Sequence, residues 1–510
     1  MTHDIYDRVT CSKCGHDQNT SNMMKCEICG AALKGKKGIP AAALAGAVAI
    51  AGLGVAGYSF LQRRATDNPN QPMVVVTATP SGPVTPGTPP ATFPSQSAAN
   101  LLSEGDRVLF ANAPDIDKTA AASAYSNGQY SDAIALLEAA RQRRRNDPET
   151  LIYLNNAKVG DRDAVYVAAA VPVADNPNSA QEILRGVAQV QQAHNDSGNG
   201  LPLKVIIADD ANDKAQAQAV ANALVDDKRV RLVVGHGTST TSLAGAEIYQ
   251  AAGLPMIAPT STSTELAALT RTGTNFVYRT IPSDQFSGTI LARYVLEKMG
   301  KKSAAVFFNS ESAYSRSMKR AFETTFGLEG GLVSETIDFA SENGVARLTD
   351  ASAEVVALFP NSSTFAQALE VARANNKRLP MVAGDAMYTV NALREAGESL
   401  EGMILPVPWH PVSSAEPNFV ASSSQLWGGD VNWRTALSYD AMQTLTAAFS
   451  AAEQSREALA QTIGESNFSA RGVTGDIRFL PTGDRSGSLV LVRVQPGDRS
   501  KTGYDFVPIQ

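Results

Sequence analysis

From about residue 163 onward, short continuous apolar runs alternate with amphipathic stretches. Residues 165–173 form such a run, the pattern of a parallel strand buried on both faces. Residues 182–194 are amphipathic and predict a helix. Residues 203–208 predict the next strand, ending in Asp209 and Asp210, and a helix follows over 214–225. Residues 231–234 form a strand that runs into the polar stretch 235–241. A helix over 247–252 leads to a strand over 255–257, which runs into a second polar stretch, 258–264. The alternation resumes with strands at 303–309, 354–359, 379–383 and 403–407. Such alternation predicts parallel sheets with right-handed crossovers, and two successive sets predict two lobes.

Upstream the pattern changes. Residues 39–61 are 23 in a row without a charge, long enough to span a bilayer. Ala and Gly dominate them, so a buried soluble helix or a cleaved signal peptide are the alternatives. The 38 residues before the run exceed an ordinary n-region, which favours an uncleaved signal anchor. Residues 65–100 hold eight prolines and no charge after Asp67. That composition predicts a semi-rigid polyproline II spacer, reaching on the order of 100 Å at about 3.1 Å per residue. Tyr125, Gly128, Tyr130, Ala133, Ile134, Leu137 and Ala140 then fall at helix-hairpin spacing, and Asp147-Pro148 opens a further helix over 149–158. This resembles one tetratricopeptide-type unit. Such repeats normally need three or more copies to bury a core, so a helical spacer packed on its neighbour is expected, with a peptide-binding array as the alternative. Arg141, Arg143, Arg144 and Arg145 cluster near a helix end, where cations complement the helix dipole.

Composition adds limits. A chain of 510 residues is too long for one core. Hydrophobic residues make up 44% and aromatics 6%, ordinary for a soluble α/β protein. A net charge of −6 is too mild to argue for nucleic acid or an acidic substrate. The four cysteines all lie before residue 30, as Cys11-Ser-Lys-Cys14 and Cys26-Glu-Ile-Cys29. Two such knuckles set four thiolates at the corners of a tetrahedron that suits Zn²⁺, and the segment resembles short zinc ribbons. A pair of disulfides is the alternative. With almost no apolar core of its own, this piece would take its folding energy from the metal. His16 reads as a surface residue. Zinc thiolates belong in a reducing compartment, and Lys34, Lys36 and Lys37 outnumber Arg63 and Arg64 across the apolar run. The N-terminus is therefore expected in the cytoplasm of a single-pass plasma-membrane protein, with the large domain outside.

The candidate chemistry sits at strand ends. In open α/β sheets ligands bind outside the carboxyl ends of the strands. Two such ends, 235–241 and 258–264, are dense in Ser and Thr. Hydroxyls and free amides at helix N-termini suit a carboxylate. No P-loop, G-x-G-x-x-G, H-E-x-x-H or G-x-S-x-G is present. His236 lies near serines without the spacing of a catalytic triad, so a structural loop histidine is expected.

The stretches VVGHGTSTTSLAGAEIY (233–249), GLPMIAPTSTSTEL (253–266), FVYRTIPSDQFSG (276–288), AVFFNSESAYSRS (305–317), SYDAMQTL (438–445) and GVTGDIRFLPTGD (472–484) occur in this order. Together they resemble type I periplasmic substrate-binding proteins of the branched-chain amino acid and amide ABC transport class. The resemblance implies a two-lobed α/β fold with hinge crossovers and no enzymatic activity. It implies that Ser239 holds a ligand α-carboxylate by hydroxyl and N–H, that Ser261 offers its backbone, and that Thr262 offers both. Tyr314 would cover the ligand and Asp385 would pair with its α-ammonium. Helix capping, core packing and strand-end capping are the alternatives for these residues. Asn361, Ser362 and Ser363 stand where relatives often place an aromatic, and 175–179 also lacks one, so a more polar or roomier pocket is expected. Leu480 replaces a common acidic residue at a surface turn.

The expected organisation is a zinc ribbon over 1–35, a transmembrane signal anchor over 38–62, a Pro/Thr-rich linker over 63–100, a helical unit over 101–161 and the two-lobed domain over 162–510. Lobe 1 is expected at about 162–280 and 409–472, and lobe 2 at about 281–408 and 473–510. The function expected is capture of an amino acid or amide by cleft closure for an ABC permease. A transmembrane sensor that couples the outer domain to a cytoplasmic partner of the ribbon is the alternative, and an enzyme on the same scaffold a third reading.

Overall fold

The computed structural model describes residues 8–9, 19–20, 98–111, 115–270, 273–341, 347–348, 352–451 and 455–509. Cys11, Cys14, Cys26 and Cys29, the apolar run at 39–61 and most of the proline-rich linker lie outside these residues. Among the described residues no helix is long and apolar enough to cross a membrane. The chain divides into two compact units, Met1–Pro90 and Ala91–Gln510. In the first, β1 (Arg8–Val9) and β2 (Asn19–Thr20) pair antiparallel.

In the second unit, β3 (Leu102–Ser103), β4 (Val165–Val171), β5 (Leu203–Asp209), β6 (Val230–Gly235), β7 (Met256–Ala258) and β8 (Val277–Arg279) form the first sheet. Their order is β3-β5-β4-β6-β7-β8, parallel throughout except for β3, which lies antiparallel on β5. Every residue of β4 but Tyr166 is buried, because helices cover both faces of the sheet.

Three helices stand between β3 and β4: α1 (Ile116–Ser126), α2 (Tyr130–Arg143) and α3 (Pro148–Val159). Asp115 caps α1, and Asp147 caps α3 with Pro148 in the first turn. Nearly all of α3 is buried, which is why its sequence shows no polar face. Its Asn156 side chain both donates to the Val205 carbonyl (2.7 Å) and accepts from the Val205 N–H (3.0 Å) of β5. These helices are therefore built into the first lobe. Within them Lys118, 1% exposed, is ion-paired to Glu149, 0% exposed, and to Asp147 at 2.7 Å. Arg143, from the basic cluster, pairs with Asp115 and Asp117.

Helices α4 (Pro177–Ser197), α5 (Lys214–Asp226) and α6 (Ser239–Ala252) complete the first lobe's crossovers. The last starts at Ser239 rather than 247, because Thr238 and Thr241 form a reciprocal capping box. The chain then crosses to the second lobe. There α7 (Asp284–Arg293), α8 (Ala313–Leu328), α9 (Phe365–Asn375) and α10 (Val390–Leu400) surround β9 (Ser303–Phe308), β10 (Leu332–Asp338), β11 (Val355–Phe359), β12 (Met381–Ala383) and β13 (Ile404–Val407). The chain returns through α11 (Pro417–Trp427), α12 (Trp433–Ala451), α13 (Arg456–Gly464) and the hairpin β14 (Ala470–Gly472) to β15 (Gly475–Ile477). A third crossing adds β16 (Val490–Gly497) and β17 (Gly503–Pro508) antiparallel to the second sheet, whose order is β10-β9-β11-β12-β13-β16-β17.

The returning helix α12 lies tightly on α4. A Cβ at Gly186 would sit 2.3 Å from the Thr435 carbonyl oxygen, so only glycine permits this approach. The contact fixes α12, and with it the residues at its start, against the first lobe.

Replacing Lys118 with alanine strands the buried Glu149 carboxylate. We expect a loss of roughly 3–5 kcal/mol in urea unfolding. Because α3 is part of the first lobe's core, the loss should appear in the lobe's own transition rather than in a separate early one.

Candidate functional site

A cavity of about 560 Å³ opens between the lobes, at the carboxyl ends of both sheets. Ser239, Thr240 and Thr260 line it from the first lobe, and Tyr314, Asn361 and Asp385 from the second. Ser239 begins α6, where unpaired N–H groups and the helix dipole favour an anion. Its Oγ accepts from the Ser263 N–H at 3.3 Å, which leaves its own proton to donate.

Ser261 and Thr262 do not line the open cavity; both are buried behind it. The Ser261 hydroxyl is hydrogen-bonded to the Ser242 hydroxyl, and Thr262 Oγ1 is buried beside Asp284. Arg279 shapes this loop. Its Nη1 donates to the carbonyls of Ser261 (3.2 Å) and Ser263 (2.8 Å), and its Nε to Asp484 Oδ1 (2.6 Å). Asp440 and Gly472, from the two late motifs, form a neighbouring node. The Asp440 carboxylate accepts from Val473 N–H (2.6 Å) and Arg485 Nη1 (2.8 Å), and Gly472 leaves it room.

On the second lobe, Tyr314 lies in the first turn of α8 and its hydroxyl accepts from the Ala386 N–H at 3.3 Å. A Cβ at Gly384 would fall 2.1 Å from that hydroxyl, which accounts for the glycine before Asp385. Asp385 is 7% exposed, and its Oδ1 has no hydrogen-bond partner among the described residues. Burial raises its pKa, opposed by the charge of Arg434 and by the Tyr314 hydroxyl. Asp284, the first residue of α7, lies within the motif at 276–288. Burial and then the negative charge of Asp385 push its pKa up to about 7, against the nearby hydroxyls of Ser317 and Thr262 and the charge of Arg279.

The lobes touch around the cavity. Asn212 Nδ2 donates to Ser362 Oγ (2.9 Å), the Ala313 N–H to Thr240 Oγ1 (3.2 Å), and the Thr264 N–H to Ser317 Oγ (3.0 Å). The polar substitutions read in the sequence face this space: Asn361 and Ser362 on one side, Asp175, Asn176 and Ser179 on the other. His236 does not. It is fully buried, with Nδ1 2.8 Å from Asp210 Oδ2 and Nε2 3.1 Å from the Tyr249 hydroxyl. Sequence reasoning missed Arg434, Glu182 and Tyr388, which line the cavity, and Asp284 behind it. The only available signal was a charged residue at the start of the helix that carries SYDAMQTL.

The raised pKa of Asp284 has a definite sign. Between the unfolded value near 4 and about 7 the folded chain holds the extra proton, so stability falls as pH rises through this window. Asp284→Asn should be more stable than the parent at pH 8 by roughly 2–4 kcal/mol, with the gap closing toward pH 4. Thermal unfolding across pH reads this directly; a gap independent of pH contradicts it.

Residues 173–500, more than half of the chain, match the periplasmic binding protein family. The Leu/Ile/Val-binding protein of Escherichia coli strain K12 is 28% identical over 271 residues, 51% of this chain and 71% of that protein. An amino acid binding protein of Pseudomonas aeruginosa is 26% identical over 304 residues, 57% of this chain and 79% of the relative. Among solved structures, a leucine binding protein from Thermotoga maritima superposes with a TM-score of 0.60 at 25% identity, covering 67% of this chain and 97% of that one. An ABC transporter substrate-binding protein from Desulfitobacterium hafniense in complex with Leu shares the fold, with a TM-score of 0.57 at 24% identity over 68% of this chain and 100% of the other. Two sheets joined by three crossings, a cleft at their carboxyl ends and these relationships lead to one conclusion: the chain belongs to the type I periplasmic binding protein family, homologous to the Leu/Ile/Val-binding proteins.

Proposed function

We propose that the two-lobed domain captures an amino acid or a related amide and delivers it to an ABC-type importer. The observation that carries this reading is the pairing of unlike walls across one cavity. The first lobe offers hydroxyls and the N-terminus of α6; the second offers Asp385, buried with an oxygen that has no partner among the described residues. A zwitterion bridging the cleft satisfies both walls at once, so binding and closure are coupled. Ser239, with the backbone of Ser261 and Thr262 behind it, takes the α-carboxylate; Asp385 takes the α-ammonium; Tyr314 covers the ligand. Such a site binds and releases without turnover. The relatives support the assignment, since those named above bind amino acids or serve ABC transporters.

The N-terminal part is proposed as a membrane tether. Residues 38–62 span the membrane, the zinc ribbon of Cys11, Cys14, Cys26 and Cys29 faces the cytoplasm, and the linker carries the binding domain outside. A plain transport receptor has no evident need for a cytoplasmic ribbon. That favours, as a second reading, a sensor whose ribbon meets a signalling partner. Co-purification with a permease points to the importer; a ligand-dependent cytoplasmic partner points to the sensor.

Two measurements test these readings. Asp385→Ala should weaken an amino-acid ligand by roughly 2–5 kcal/mol in calorimetric titration, because the ammonium loses its buried partner. Unchanged affinity contradicts the zwitterion model. Elemental analysis of the purified chain should give one zinc per chain, lost on Cys26→Ser; a metal-free chain with paired disulfides contradicts the ribbon.

A further inference from the structure

Two cations line the cleft that the amino-acid reading leaves unused: Arg185, which is ion-paired to Glu182, and Arg434. Arg434 has no carboxylate oxygen within 4.0 Å among the described residues. Its guanidinium makes a single long hydrogen bond, Nη1 to the Tyr388 carbonyl at 3.4 Å. A guanidinium carries five N–H donors in a fixed fork, so most of its capacity faces the cavity unspent. The Trp433 ring lies beneath it, 4.1 Å from centroid to Cζ, and holds the fork in place.

Its location is also unusual for a cation. Arg434 is the second residue of α12, in the turn where the helix dipole opposes positive charge and favours an anion. The neighbouring acid Glu182 acts on it through its charge, but among the described residues forms no ion pair with it. Glu182 is occupied by Thr435 Oγ1 (2.6 Å), by the Asn432 N–H (3.3 Å) and by Arg185. Asp385 acts on Arg434 through its charge but makes no ion pair with it. The guanidinium and the helix start thus present one patch of positive potential, on the same cavity as the Asp385 oxygen that has no partner among the described residues.

The rest of the lining agrees. Among the described lining residues the aliphatic side chains are Ala386 and Val390 alone, while amides such as Asn176, Asn178, Gln181 and Asn391 are frequent. Four aromatic rings, Tyr314, Phe365, Tyr388 and Trp433, also line the cavity, yet a branched hydrocarbon side chain packed among them would leave the guanidinium enclosed without an acceptor on closure.

We infer that Arg434 receives a second carboxylate on the ligand's side chain, so that the cleft selects an acidic amino acid. This rests on the amino-acid reading above and specifies its substrate class. The three ligand charges then each meet a complement: α-carboxylate at Ser239 and the start of α6, α-ammonium at Asp385, side-chain carboxylate at Arg434.

The test is calorimetric titration of the full chain with L-glutamate and L-aspartate against L-glutamine, L-asparagine and L-leucine. The acids should bind more tightly than their amides by roughly 10-fold or more. Arg434→Gln should bring the acid-to-amide ratio near unity, and Arg434→Lys should leave an intermediate ratio because the charge stays and the fork is lost. Melting curves of both variants confirm folding; if neither folds, the ratio in the parent chain decides alone. Amides that bind as tightly as the acids, or a ratio unmoved by Arg434→Gln, overturn the assignment. Leucine bound with the acids refused overturns it while the amino-acid reading stands. Silence from the whole panel overturns both.

Discussion

The buried guanidinium of Arg279 is the interaction on which the binding wall depends. At 1% exposure it must have partners, and its partners come from distant parts of the chain. It clamps the carbonyls of Ser261 and Ser263, in the hydroxyl-rich loop after β7, and the carboxylate of Asp484, near the third crossing. The next residue, Arg485, is held by Asp440 of α12. The loop, the crossing and the returning helix are therefore set by one connected group of buried charges. The amides of the first lobe are in position before any ligand arrives, so ordering them costs little on binding.

The second lobe is built to a different rule. Its carboxylates, Asp385 and Asp284, are buried and short of hydrogen bonds among the described residues; burial makes both harder to ionise, and the charge of Asp385 makes Asp284 harder still. A wall with unsatisfied charge facing a wall with unsatisfied donors is stable only at modest cost when the space between holds a complementary molecule. The contacts that bridge the lobes beside the cavity are weak: neutral hydrogen bonds such as Asn212 to Ser362 contribute about 1 kcal/mol each, and the exposed ion pair of Arg316 with Glu265 at 3.9 Å adds little. Opening against them is easy, and a ligand with charges for both walls shifts the balance toward closure.

Much of the fold was legible because burial on both faces leaves continuous apolar runs. The strands at 165–171, 203–209 and 230–235 stand out for that reason. The strands at the margins were not legible: the edge strands β10 and β17, and β16 beside β17, are half-exposed, and the edge strand β3 is two residues long. Residues 238–241 looked like a loop because Ser and Thr are poor helix interiors, yet the same residues make the capping box that starts α6. Ser239 and Tyr314 could be named because they lie in recognisable motifs, and Asp385 because it lies just after the strand that ends at Ala383. Arg434 and Glu182 could not, since they come from α12 and α4 and reach the cleft only through the packing of those two helices. The three helices before β4 read as a spacer because nothing in their own sequence reveals that Asn156 completes the hydrogen bonding of β5.

The central claim is that one zwitterion bridges the two walls in a fixed orientation. A crystal structure of the chain with a bound amino acid tests it most directly. The account predicts the α-ammonium within hydrogen-bond distance of Asp385 and the α-carboxylate at Ser239 and the first turn of α6. A ligand seated the other way, with its α-carboxylate on Arg434 and nothing charged at Asp385, would contradict it.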